Sequence, residues 1–244
     1  MKINFNQSNI KFKKGTVILA SAGPGDPNLI TLKLKYIITL ADVVIFDALV
    51  NKKILNICKP NAKLVYAGKL KERKACTQSE INEWLLKYSK KNKKVLRLKG
   101  GDVSFFSRVS QEINFLKKNK IKTEILSGIT SSQASLKNAR LNFFNKSNFC
   151  NFMTGHKIIV KKNKEVNYSQ ICKNKGKIII YMGVSQIRSI VSKLISNGIN
   201  ENAKVTLIQN ASMESEKLFF TSLKKCPMFM KKNNIKSPSI IVIR

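Results

Sequence analysis

The sequence has 244 residues, 43% of them apolar, enough for a buried core and too many for a wholly disordered chain. Its 46 basic and 13 acidic residues give a formal charge of +33, which draws polyanions such as nucleic acid, an anionic membrane or a polycarboxylate. No apolar run approaches the roughly 18 residues that mark a membrane helix, and the opening MKINFNQSNIKFKK lacks the apolar centre of a secretory signal.

Residues 1–13 read as a loose arm. TVILAS (16–21) is a β-rich run that ends in Gly23, Pro24 and Gly25, and residues 28–40 carry Leu29, Leu32, Leu34, Tyr36, Ile37 and Leu40 at mostly helical spacing. VVIFD (43–47), KLVYAG (63–68) and VLRLKGGD (95–102) each read as a buried strand ending in a polar or glycine turn. Between the last two, Ile81, Trp84, Leu85 and Tyr88 make one helix face, with Thr77 and Glu80 as a capping box at its start. A helix near 109–118 and the run TEIL (123–126) follow. Strands alternating with helices predict a parallel α/β sheet over 14–127.

The second half, 128–244, has a different rhythm. A helical stretch (129–139) leads to NFMTG (151–155), KIIIYMG (177–183), a helix near 185–197, VTLIQN (205–210), LFFTSL (218–223) and SIIVIR (239–244). Five strands with fewer helices predict a mixed α+β domain. The basic stretch 157–177 reads as a solvated loop. Two domains of similar size place a cleft between them, a common setting for a ligand.

In open α/β sheets, ligands lie outside the carboxyl ends of the strands. Four features fall there: AGPGDP (22–27), Asp47, AGK (67–69) and KGGD (99–102). Glycine lets the backbone approach a ligand, and a carboxylate at the same edge can hold a hydroxyl or cation or act as a base. The first turn is neither a dinucleotide fingerprint nor a phosphate loop, because Pro24 divides its glycines and no G-K-[ST] follows. Any one such turn is ordinary punctuation; four at one edge point to a site.

These segments carry a resemblance. SAGPGDPNLITLKLKYIITLADVVIFDALV, then AGK, QSEIN (78–82), VLRLKGGD, SGITSSQA (127–134), TGH (154–156), YMG (181–183) and SPSIIVIR (237–244) resemble, in order and spacing, the uroporphyrinogen-III C-methyltransferases. The resemblance spans roughly residues 15–244. It implies two α/β domains of the tetrapyrrole methyltransferase type, in a cytoplasmic homodimer. S-adenosylmethionine is the implied co-substrate, without a metal and in the interdomain cleft, and the implied reaction is two methyl transfers to uroporphyrinogen III, giving precorrin-2 for cobalamin or sirohaem. Carried over residue by residue, Pro24, Gly100, Gly101, Asp102, Phe105, Thr130, Ser131, Met182 and Ala211 are the cofactor contacts. Asp47 and Lys69 are the proton acceptor and donor.

The chemistry suits those residue types. A sulfonium methyl donor needs apolar walls, backbone polar groups and a carboxylate or hydroxyl for its ribose and amino-acid ends. In-line displacement gains much of its rate from alignment. A carboxylate such as Asp47 can take the proton that the macrocycle loses. The eight carboxylates of the substrate call for lysines around the cleft.

Departures fall on the substrate side. After KGGD the family usually continues P-F-x-F-G-R-G-G-E-E, whereas this chain reads Val103, Ser104, Phe105, Phe106, Ser107, Arg108, Val109, Ser110, Gln111 and Glu112. Leu70–Lys74 replace an R-x-G-x-H stretch, and Asn142, Phe143 and Phe144 stand where T-H-R is usual. Substrate handling is expected to differ more than cofactor binding.

The remaining signals weigh less. The excess base is 40 Lys against 6 Arg, alongside 25 Asn and 29 Ile, the mark of an AT-rich coding sequence. A phosphate-reading surface draws on arginine as well. A nucleic-acid-binding module is the rival reading, but it has no RNP, helix-turn-helix or zinc signature, so no specific nucleic acid is expected. Another precorrin methyltransferase is the rival within the fold. Five scattered cysteines without a C-x-x-C pair argue against disulfides and zinc, and for a reducing compartment. His156, the one histidine, reads as a structural group at the TG turn, with contact to a substrate carboxylate as the alternative.

Overall fold

The computed structural model describes residues 10–68, 76–144, 148–155 and 166–244. The chain divides into two compact units after Thr130.

The first unit is a five-stranded parallel sheet. Its strands are β1 (Val17–Ser21), β2 (Val43–Phe46), β3 (Lys63–Tyr66), β4 (Val95–Lys99) and β5 (Thr123–Leu126), in the order β3-β2-β4-β1-β5. Between them run α1 (Leu32–Leu40), α2 (Lys52–Leu55), α3 (Gln78–Lys90) and α4 (Val109–Lys118). Alternation divides the core in two. Ile18, Val44, Leu96 and Leu98 pack with Leu34, Ile37 and Ile38 of α1 and Ile54 of α2. Val17, Leu19, Ile45 and Val95 pack with Leu85 of α3 and Leu116 of α4.

The capping box at Thr77 forms as the sequence predicts: the Glu80 amide donates to the Thr77 hydroxyl and the Thr77 amide to the Glu80 carboxylate. Two expectations change. β3 lies at the edge of the sheet, so KLVY is half-exposed rather than buried, with Leu64 46% exposed. Of the arm expected over 1–13, residues 1–9 lie outside the described residues, and in 10–13 Phe12 is buried and Ile10 packs against the α1 side of the sheet. The short α2 carried no helical periodicity to predict it.

The second unit holds a mixed sheet in the order β6-β7-β10-β8-β9. β6 (Cys150–Thr154) runs parallel to β7 (Lys177–Tyr181). β10 (Ser239–Ile243) runs antiparallel to β7 and to β8 (Lys204–Gln209), which pairs antiparallel with β9 (Lys217–Ser222). The helices are α5 (Ser131–Asn138), α6 (Tyr168–Lys173), α7 (Ile187–Ser196) and α8 (Cys226–Lys232). Ile187, Ile190, Val191 and Leu194 of α7 join Ile178, Ile180, Leu207 and Ile241 in its core. Within 157–177 the described part is not a solvated loop: α6 forms, and Lys177 is a buried strand residue whose ammonium donates to the Asn142 carbonyl. Helix α8 was too short to announce itself. Its Cys226 is fully buried, and burial pushes the thiol up to about 12, so this cysteine packs rather than reacts.

Candidate functional site

In the first unit the turns after four strands meet at the carboxyl edge of the sheet. Gly23, after β1, and Gly101, after β4, exchange backbone hydrogen bonds of 3.1 and 2.7 Å. Both have φ near +70°, which favours glycine (74° and 72°). Pro24 lies between Gly23 and Gly25, and the Gly25 carbonyl accepts from Asn51 Nδ2 at 2.7 Å. A Cβ at Gly100 would stand 2.7 Å from the Leu49 Cβ, and one at Gly128 would stand 2.6 Å from that of Ser21. These glycines let the turns close on one another.

Asp102 ties that edge together. Its Oδ2 accepts from the Gly128 amide at 2.7 Å, and its Oδ1 accepts from the Ser104 amide at 2.8 Å and from the Ser104 hydroxyl. Ser21 Oγ, which donates to the Leu126 carbonyl at 2.8 Å, lies 3.4 Å from Oδ2. Burial alone would raise the Asp102 pKa, but the hydrogen bonds from Ser104, Gly128 and Ser21 outweigh it and hold the carboxyl below the usual carboxylate range. With its oxygens already engaged inside the chain, Asp102 organises the turns after β1, β4 and β5. Phe105 follows on the same turn, half-buried and edge-on to Phe106. Phe106 and Arg108 adopt φ of 50° and 59° in the stretch where the sequence lacks the usual glycines. Both pay the steric cost of a left-handed backbone.

Asp47 stands at the end of β2 with its side chain 28% exposed. Beneath it lies a buried ionic network. Arg97 Nη2 donates to Asp47 Oδ1 at 2.6 Å, and Arg97 Nε donates to Glu112 Oε1 at 3.3 Å. Lys99 Nζ lies 3.0 Å from Glu112 Oε1 and 3.8 Å from Asp47 Oδ2. Gln78 Nε2 also donates to Glu112 Oε1, at 3.2 Å. Burial, with the Arg97 charge beside it, pulls the Lys99 pKa below its ordinary value despite the two carboxylates. Lys69 and His156 lie outside the described residues.

The second unit brings three further candidates to one edge of its own sheet. The register sets Thr154 opposite Tyr181 and Ser239 opposite Gln209, so Met182 and Ala211 follow strand ends on the same side. Met182 is 46% exposed with φ of 50°, and Ala211 is buried. A Cβ on Gly155 would meet Gly183 Cα at 2.5 Å, so these two turns also touch. Tyr181 Oη donates to Ser132 Oγ at 2.7 Å, which brings the start of α5, and with it Ser131, to this edge. Thr130, the residue before it, is buried.

The sequence reading missed Arg97, Lys99 and Glu112. The signal was present, because two basic residues sit in a strand otherwise made of Val95, Leu96 and Leu98, and buried bases require partners. A cavity of about 460 Å³ in the second unit, bordered by Gln186, Arg188, Pro227, Met230 and Ile235, includes none of the candidate residues. Among the described residues no group of three or more His, Cys, Asp or Glu side chains is placed to hold a metal.

The chain is similar to known proteins along most of its length. The model of the tetrapyrrole (corrin/porphyrin) methylases matches residues 16–227. A uroporphyrinogen-III C-methyltransferase of Methanocaldococcus jannaschii is 37% identical over 94% of this chain and 95% of its own. A siroheme synthase of Ruthia magnifica is 31% identical over 96% of this chain, which spans 49% of that longer protein. The crystal structure of a Thermus thermophilus uroporphyrin-III C-methyltransferase, complexed with S-adenosylhomocysteine, superposes with a TM-score of 0.78 at 25% identity, over 93% of this chain and 91% of that one. The parallel sheet with its glycine-lined edge, the mixed second sheet and these matches together establish that the chain belongs to the tetrapyrrole methylase family.

Proposed function

We propose that the chain is an S-adenosylmethionine-dependent C-methyltransferase that converts uroporphyrinogen III to precorrin-2 by two methyl transfers, for sirohaem or cobalamin. The observation that carries the reading is Asp47, a partly exposed carboxylate at a strand end, gripped by Arg97 beside a glycine-lined edge. The co-substrate supplies an electrophilic methyl group on a sulfonium. Pro24, Gly100, Gly101, Phe105 and Thr130 of the first unit, and Ser131, Met182 and Ala211 of the second, are its contacts. Asp102 serves binding through the turns it holds.

Asp47 accepts the proton that leaves the methylated macrocycle, and the electrons of the broken C–H bond return to the ring. Lys69 is the proton donor. Exposed lysines meet the substrate carboxylates. The five cysteines are free, in keeping with a reducing cytoplasm, and the resemblance adds a homodimer, which size-exclusion chromatography tests.

Incubation with S-adenosylmethionine and uroporphyrinogen III, followed by mass analysis, tests the reaction. Sequential products bearing one and two added methyl groups are expected. No methylation of uroporphyrinogen III, with methylation of a later precorrin, would assign a different step. Retention of the protein by nucleic acid at physiological salt, with no methylation at all, would overturn the reading.

A further inference from the structure

We infer that Glu112 is a positioning residue for this reaction: it holds the Lys99 ammonium off Asp47, so that among the described residues Arg97 is the cation at hydrogen-bond distance from that carboxylate. The inference rests on the reading of Asp47 as proton acceptor.

Glu112, in the first turn of α4, has no exposed surface. One oxygen does all the visible work, since Oε1 accepts from Arg97 Nε, Lys99 Nζ and Gln78 Nε2. The other, Oε2, is buried and has no hydrogen-bond partner among the described residues. A carboxylate with no solvent and an unsatisfied oxygen is costly to keep for packing alone.

The network is charge-balanced, with Arg97 and Lys99 facing Asp47 and Glu112. Its two cations differ in freedom. Arg97 is fixed by four acceptors, because Nη1 also donates to the Ile45 and Leu98 carbonyls at 3.3 and 3.4 Å. Lys99 is a point charge on a flexible stem, and it lies closer to Glu112 (3.0 Å) than to Asp47 (3.8 Å). Without the charge on Glu112, the nearest anion for Lys99 is Asp47. A carboxylate held by two cations resists taking up a proton. Glu112 thus keeps Asp47 oriented by the rigid guanidinium and clear of the mobile ammonium.

The test uses Glu112→Gln, alone and with Lys99→Met, which removes the competing cation. Steady-state methyl transfer to uroporphyrinogen III and crystal structures of the variants are the two readouts. In Glu112→Gln, kcat should fall about 10- to 100-fold, short of the 10²–10⁴-fold expected for outright loss of a base, while KM for S-adenosylmethionine stays within about twofold. Lys99 Nζ should close on Asp47 to an ion-pair distance of about 2.7–2.9 Å. The double variant should recover most of the lost kcat.

Wild-type kcat in Glu112→Gln, or a double variant no faster than the single one, would overturn the inference, since a purely structural role gains nothing from a second substitution. If Glu112→Gln does not fold, Glu112→Asp serves in its place: it keeps the charge that attracts Lys99, so the lysine should stay off Asp47 and kcat near its wild-type value, and a Lys99 closed on Asp47 would overturn the inference. If the wild-type protein methylates no tetrapyrrole, the proposed function fails by itself. The crystal structures then decide the positional claim, and an unmoved Lys99 in Glu112→Gln overturns it.

Discussion

Asp102 and Asp47 are both aspartates just past strand ends, and their surroundings make them fail in different ways. Asp102 is bound by the Ser104 and Gly128 amides and is nearly buried. Removing it in Asp102→Ala leaves those amides unpaired and should cost about 2–4 kcal/mol of stability, on the scale of hydrogen bonds to a charged group. S-adenosylhomocysteine binding should weaken with it, because the turns after β1, β4 and β5 lose their tie. Chemical denaturation with calorimetric titration measures both, and unchanged stability would return Asp102 to direct contact with the cofactor. Its pKa also predicts an acid response. The folded value is depressed, so the unfolded chain binds the proton first as pH falls. The contribution is complete above the unfolded value of about 3.9 and disappears as pH drops through the folded value. Unfolding free energies of the wild type should therefore decline more steeply below about pH 4 than those of Asp102→Asn. Parallel curves would show that the charge contributes nothing.

At the scale of elements, what could be read depended on whether the cause was local. α7 was legible because Ile187, Ile190, Val191 and Leu194 repeat at helical spacing and all face the core. Leu194→Ala should accordingly destabilise the protein by about 2–5 kcal/mol, the usual cost of emptying a fully buried leucine site. A loss under about 1 kcal/mol by urea denaturation would mean that the site collapses around the gap or that the helix packs otherwise. β4 was legible as a strand, and its RLKGGD ending carried the resemblance, but the network under Asp47 was not. Arg97 finds Glu112 across 15 residues and Asp47 across 50, and no local pattern records such pairs. The same holds for Asp102, whose partner Gly128 lies 26 residues on. Burial of β3 was misjudged for a related reason, since an edge position is set by strand order and not by the strand's own composition. The short helices α2 and α8 gave too few turns for periodicity to show.

For the whole molecule, the +33 charge is the dominant property. Like charges repel within a folded protein, and salt screens them over about 8–10 Å at 0.10–0.15 M. Thermal stability should rise as salt is added, whereas tetrapyrrole affinity should fall, because exposed lysines meet carboxylates that ions shield. S-adenosylhomocysteine affinity should change little. Equal salt dependence for the two ligands, followed by fluorescence and calorimetry, would argue against a basic wall for the substrate. The account as a whole turns on methyl transfer with Asp47 taking the proton. The most direct test is the single-turnover rate of methyl transfer from S-adenosylmethionine to uroporphyrinogen III by the wild type and by Asp47→Asn, with S-adenosylhomocysteine affinity measured on both. The account predicts methylated product from the wild type, a rate lower by about 10²–10⁴-fold in Asp47→Asn, and near-equal affinity. Equal rates in the two proteins, or no product from either, would contradict it.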